Sequence, residues 1–237
     1  MSRKLIITES EKNNIKSLYN IKEDSESFAD GILDLVFNPK NTQTTDNKDV
    51  ETTNDTTKDS GKPLKISDSG QKLLQNPTFK KKLKEISDAI HIGEDTIIKL
   101  MNHESGLNPS IKNGIGCVGL IQFCPDNGGG STKTVGGKKY SLDDLKNDLE
   151  LQMDVIKQFW LEGYKNGKIK KPADLYIYNF FPVAAGKGDD FVLKTNSMSA
   201  EKIASSNPVF NKKLGKGKYE PLTVGDLNKY YKQTGMV

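Results

Sequence analysis

Ile97, Leu100, Met101 and Glu104 stand at i, i+3, i+4 and i+7 in the segment 93–104, so a carboxylate finishes an apolar helical stripe. A carboxylate on the face that meets a core loses hydration. Its usual relief is a raised pKa that keeps the group protonated near neutral pH, as a general acid requires. Ser105-Gly106 and Asn108-Pro109 then break the pattern, which sets the carboxyl at a helix end beside a loop. The same periodicity also fits a glutamate on a frayed last turn that swings into solvent. His103 falls about 100° round the helix from the stripe and reads as surface or rim.

A second carboxylate, Asp126, follows in Pro125-Asp126-Asn127-Gly128, a turn sequence in which aspartate is common for purely local reasons. It is the residue to consider if water must be activated opposite Glu104. Cys117 and Cys124 have no His or Cys companions at metal-ligand spacing, and no metal is expected. They flank the apolar run 118–123 and can approach only if that run turns back on itself; in a reducing cytoplasm free thiols are the expectation.

The elements that must hold these residues are mainly helical. A period near 3.6 runs over 77–90, 93–104 and 142–163, and helices are also expected at 173–185, at 199–204 and from about Thr223 onward. Between them, 108–139 is rich in glycine and proline, with 118–123 expected as a short strand or hairpin arm and Val135, Gly136 and Gly137 as its turn. The basic run Lys80 to Lys82 with Lys84 reads as a solvated helix face. Upstream, Thr8-Glu9-Ser10-Glu11 has the hydroxyl and glutamate of a capping box ahead of a short helix, and 28–37 suggests another. Residues 41–62 are dominated by Thr, Asp, Asn, Lys and Ser, with Val50 the only aliphatic residue, and read as a flexible polar linker. The expected organisation is docking helices in 1–40, a linker at 41–62 and the main domain at 63–237.

Length and charge set the outer bounds. The chain has 237 residues, enough for a core that can bury a site, and its 35 basic against 31 acidic residues leave +4, which favours anionic surfaces without demanding nucleic acid. Only three apolar residues follow Arg3-Lys4, too few for a signal-peptide core, and no segment approaches the length of a membrane span.

Three stretches in order, Glu104-Ser105-Gly106-Leu107-Asn108-Pro109, Gly119-Leu120-Ile121-Gln122-Phe123 and Tyr176-Ile177-Tyr178-Asn179, resemble the motifs of soluble lytic transglycosylases, relatives of goose-type lysozyme. Ile121 stands where that family has methionine and Ile177 where it has alanine. The resemblance implies an α+β, mainly helical lysozyme-like fold with a small β-hairpin or sheet lining the cleft. It also implies Glu104 as the acid/base, Ser105 holding substrate or the carboxyl, Gln122 bonding sugar in the cleft, and Tyr178 with Asn179 supporting Glu104. The implied reaction cuts the MurNAc-GlcNAc β-1,4 bond of peptidoglycan glycan strands with one glutamate and no cofactor. Water is replaced by the sugar's own C6 hydroxyl, which closes a 1,6-anhydro ring. Two alternatives stay open: a lysozyme-type hydrolase using Asp126 as second carboxylate, and a non-catalytic glycan-binding module. The N-terminal segment and linker resemble the appendage of a bacteriophage virion protein, which implies tail or virion partners for 1–40 and action on the host cell wall.

Overall fold

The computed structural model describes residues 64–126 and 130–237. The helices expected near 8–19 and 28–37 and the linker at 41–62 lie outside the described residues.

Two helices open the described chain. α1, Asp68–Gln75, is capped by Ser67, whose Oγ accepts the Gly70 N–H at 3.2 Å. α2, Pro77–Ile90, starts where Asn76 Oδ1 accepts the Phe79 N–H at 3.0 Å and Pro77 fills the first turn, where its missing N–H costs nothing. α3, Glu94–Ser105, ends at Gly106, which takes the left-handed φ of 61° and returns its N–H to the Asn102 carbonyl. The segments 77–90 and 93–104 are thus helical as their periodicity predicts.

The run 118–123 is not a strand. Val118 and Phe123 exchange both backbone hydrogen bonds (3.0 and 2.8 Å), and Gly119 (φ 77°) and Gln122 (φ 56°) reverse the chain between them. This reversal brings Cys117 to Cys124, and the two are joined by a disulfide, so the expectation of free thiols is overturned. The hairpin is instead formed by β1, Thr132–Val135, and β2, Lys138–Ser141, paired antiparallel with Val135 opposite Lys138. Gly136 and Gly137 (φ 57° and 77°) make its two-residue turn, a conformation with positive φ at both positions.

The helix expected over 142–163 is two: α4, Leu142–Asn147, and α5, Leu149–Lys165. Asp148 sits in extended backbone (φ −117°, ψ 102°) and its Oδ1 accepts the Leu151 N–H at 3.0 Å. Aspartate competes for backbone donors and so starts a helix more readily than it continues one. α6 is Pro172–Phe180, shorter than expected, with Pro182 just beyond its end. α7, Ala200–Ser206, and α8, Pro208–Leu214, follow. Proline at the first position of α8 begins a helix where a loop was expected. α9, Val224–Gln233, carries a capping box from Thr223 and Asp226.

α5 is the spine. α2 lies along it, and Lys82, only 11% exposed, bridges the pair through Asp154 (2.7 Å) and Glu150 (3.3 Å), so this lysine is not on the solvated face its neighbours occupy. Gln152, Ile156, Phe159 and Gly163 share one face at i, i+4, i+7 and i+11. Phe159 contacts the rings of Phe123 (5.9 Å) and Tyr178 (4.9 Å). Gln158 accepts the Tyr140 hydroxyl at 3.0 Å and holds the hairpin. α9 closes the far side of the core, its Tyr231 ring 5.0 Å from Tyr176 of α6.

Candidate active site

Glu104 occupies the last turn of α3, half-buried, one turn beyond the fully buried Leu100 and Met101. Burial pushes its carboxyl up from the ordinary 4.5 to about 7, and an N–H from Asn179, 3.3 Å from Oε1, opposes that rise in part. A carboxyl at about 7 is present in both protonation states at neutral pH, the condition for a group that must give a proton and take one back. Asn179 comes from α6, and the same Nδ2 also lies 3.3 Å from the Ile121 carbonyl, so one amide ties the acid to the 118–123 turn.

The buried tyrosines that sense Glu104 are Tyr176 and Tyr231. The Glu104 charge adds to desolvation in raising both phenols, because forming a phenolate beside a carboxylate is costly. Tyr178, expected as support for the acid, makes no hydrogen bond to Glu104. Its ring lies against Phe159 in a notch above Gly163, where a Cβ would come within 2.8 Å of Cζ. The cause is helical geometry: Tyr176 and Asn179 share a face at i and i+3, and Tyr178 does not. Tyr231 escaped sequence reasoning. The apolar spacing of Val224, Leu227, Tyr230 and Tyr231 signals burial of α9, but nothing local links it to a glutamate 127 positions earlier (231 − 104).

The other sequence candidates are placed as follows. Ser105 is buried and its hydroxyl faces the carbonyls of Met101 (2.7 Å) and Leu120 (3.1 Å). In this structure it pins the helix end to the turn, and holds neither the carboxyl nor an open surface. Gln122 is half-buried in the left-handed region, with Nε2 donating to the Gly119 carbonyl at 2.9 Å. Asp126 is engaged by the hairpin: Thr134 Oγ1 donates to Oδ2 at 2.6 Å and Lys133 Nζ lies 3.8 Å from Oδ1. His103 is exposed, as its helix position implies. Among the described residues no cluster of His, Cys, Asp and Glu is arranged to hold a metal ion.

The acid, its amide partner and the glycine-led turn now stand together. Residues 81–171 match the family model of the Transglycosylase SLT domain. The match runs from α2 through α5 and so contains Glu104, Ser105, Gln122 and Asp126. Asn179, Tyr176 and Tyr231, which complete the surroundings of the acid, come from beyond the SLT-like segment. No curated protein and no solved structure matches the chain.

Proposed function

We propose that this chain is a peptidoglycan lytic transglycosylase in which Glu104 is the single acid/base. The observation that carries the reading is a carboxyl titrating at about 7 at the end of an apolar helix stripe, inside a segment that matches the Transglycosylase SLT domain. Protonated Glu104 gives its proton to the bridging oxygen of the MurNAc-GlcNAc bond as the C1–O bond breaks. The substrate's own N-acetyl oxygen supports the electron-poor C1. The resulting carboxylate then removes the proton of the C6 hydroxyl, whose oxygen closes on C1, and Glu104 ends as it began. No water enters the balance.

The transglycosylase reading is favoured over a hydrolase by the state of Asp126. Its carboxylate is turned to the hairpin, where Thr134 Oγ1 donates to Oδ2 at 2.6 Å and Lys133 Nζ stands 3.8 Å from Oδ1, partners that account for the residue without a role on water. Gln122, on the turn next to Asn179's partner Ile121, is the residue we assign to sugar contact. For delivery, residues 1–40 act as a docking segment for a phage particle and 41–62 as its connection to the catalytic domain, a reading supported by the capping box and the polar composition alone.

Mass spectrometry of muropeptides released from purified sacculi tests the chemistry: 1,6-anhydro ends are expected, and reducing ends carrying an added water would instead establish a hydrolase. Binding to sacculi without any cleavage would leave a glycan-binding module. Detection of the chain in purified virions tests delivery, and its absence from them would refute the docking role.

A further inference from the structure

Gln152, on the inward face of α5, is fully buried, and all the hydrogen-bonding capacity of its amide that the interior can use is spent on backbone. Oε1 accepts the Leu120 N–H at 2.8 Å, and Nε2 donates to the carbonyls of Pro109 (2.9 Å) and Leu145 (2.5 Å). Only this orientation of the amide works. Reversed, it would set N–H against N–H and oxygen against two carbonyls. A buried amide so placed costs little only while every partner stays in position.

The partners are not random loop atoms. Pro109 stands just past the end of α3 and Leu120 sits in the 118–123 turn, so one side chain ties together the two ends of the excursion between them. Glycine at 119 is required for this: a Cβ there would come within 2.7 Å of the Gln152 amide, and its φ of 77° already disfavours any other residue. The Leu120 carbonyl then receives Ser105 Oγ at 3.1 Å, and the next carbonyl, Ile121, receives the Asn179 amide that also bonds Glu104.

We infer that Gln152 is a positioning residue for Glu104, acting without touching it: it fixes the Gly119–Leu120 peptide and so places the Ile121 carbonyl, one residue on, which holds Asn179 against the carboxyl. The inference rests on the catalytic reading above for its effect on rate, and on geometry alone for its effect on Glu104. A glutamate in place of this amide keeps an acceptor for the Leu120 N–H but has at most one proton to donate, so at least one of the two carbonyls is left facing an oxygen. A leucine leaves all three backbone groups unpaired. Freed from Ile121, Asn179 would no longer hold a donor on Oε1. Glu104, otherwise faced by the uncharged phenols of Tyr176 and Tyr231, would then titrate higher than in the wild type.

The experiment compares wild type, Gln152→Glu, Gln152→Leu and Gly119→Ala, the last displacing the turn from its other side with Gln152 intact. Ile86→Ala, in the α2 core, controls for lost stability. Three readouts are taken on the full chain: kcat and KM on peptidoglycan, the titration midpoint of Glu104 by carboxyl 13C NMR assigned with Glu104→Gln, and hydrogen exchange of the Leu120 amide. The site variants should lose kcat by about 10- to 100-fold with KM within about 3-fold, while the Glu104 midpoint moves upward; Ile86→Ala should change neither beyond its loss of melting temperature. In the wild type the Leu120 amide should exchange only as slowly as the core of α5. Unchanged kcat and midpoint in folded variants, or a Leu120 amide that exchanges as a surface loop does, would overturn the inference. If wild type itself leaves peptidoglycan intact, the catalytic reading fails, while the NMR midpoint and the exchange rate still decide the role of Gln152.

Discussion

Replacing Glu104 by glutamine should make this protein more stable at alkaline pH and leave it unchanged in acid. The carboxyl titrates at 4.5 in an unfolded chain and at about 7 in the folded one, a gap of 2.5 (7 − 4.5), because folding strips water from it. At about 1.4 kcal/mol per pH unit, full ionisation in the folded state stands about 3.5 kcal/mol against the native structure. The sign follows from the direction of the gap. Below pH 4.5 the group is protonated folded and unfolded, and its favourable contribution is wholly present; as pH climbs through 7 the contribution is lost. Glutamine carries no such charge at any pH. The melting temperatures of wild type and Glu104→Gln should therefore coincide near pH 4. They should diverge above pH 5 and differ by roughly 7 to 14 °C at pH 8.5, taking about 2 to 4 °C per kcal/mol for a domain of this size. Scanning calorimetry at five pH values measures the divergence, and the other titrating groups cancel in the difference. Parallel curves with a constant offset, or a variant less stable at pH 8.5, would refute the claim that burial raises this carboxyl. In parallel, peptidoglycan cleavage by Glu104→Gln should fall by about 100-fold or more.

Other perturbations test the supporting structure. Asn179→Ala removes the N–H that favours the ionised form, so the pH above which cleavage declines should move upward while its maximum falls; a decline at an unchanged pH would remove Asn179 from the site. Cutting the Cys117–Cys124 bridge, by reduction or by Cys124→Ser, opens a short loop of sequence separation 7 and should cost about 2.5 kcal/mol in urea unfolding. The same urea curves before and after reductant would refute the bridge. Gly163→Ala drives a methyl into the Tyr178 ring and Ile169, and should destabilise by about 1 to 2 kcal/mol after its gain in helix propensity. An increase in melting temperature would show that the notch holding Tyr178 is not tight.

Much of the scaffold could be read from spacing. Residues 77–90 form a helix because their apolar residues repeat every 3.6 positions behind an Asn-Pro start, and Glu104 finishes its stripe for the same local reason. The two-residue Gly136-Gly137 turn was legible, but not its strands: a run as apolar as 118–123 reads as a strand, whereas the buried side chains of Val118, Leu120 and Phe123 instead anchor a reversal closed by a disulfide. The resemblance implies that Ser105 holds substrate or the carboxyl, yet one residue along a helix is a rotation of about 100°, which turns its hydroxyl inward to Leu120.

From residue order alone came the chemical identity of the acid, its place at a helix end, and the three motifs that point to sugar chemistry. Those are properties of neighbours in the chain. The raised pKa of Glu104, the choice of Tyr176 and Tyr231 over Tyr178 as the phenols that feel its charge, and the bonds of Gln152 to the turn came from the fold. Desolvation and hydrogen bonding are summed over atoms close in space, and here those atoms include an amide 75 residues from the carboxyl it contacts.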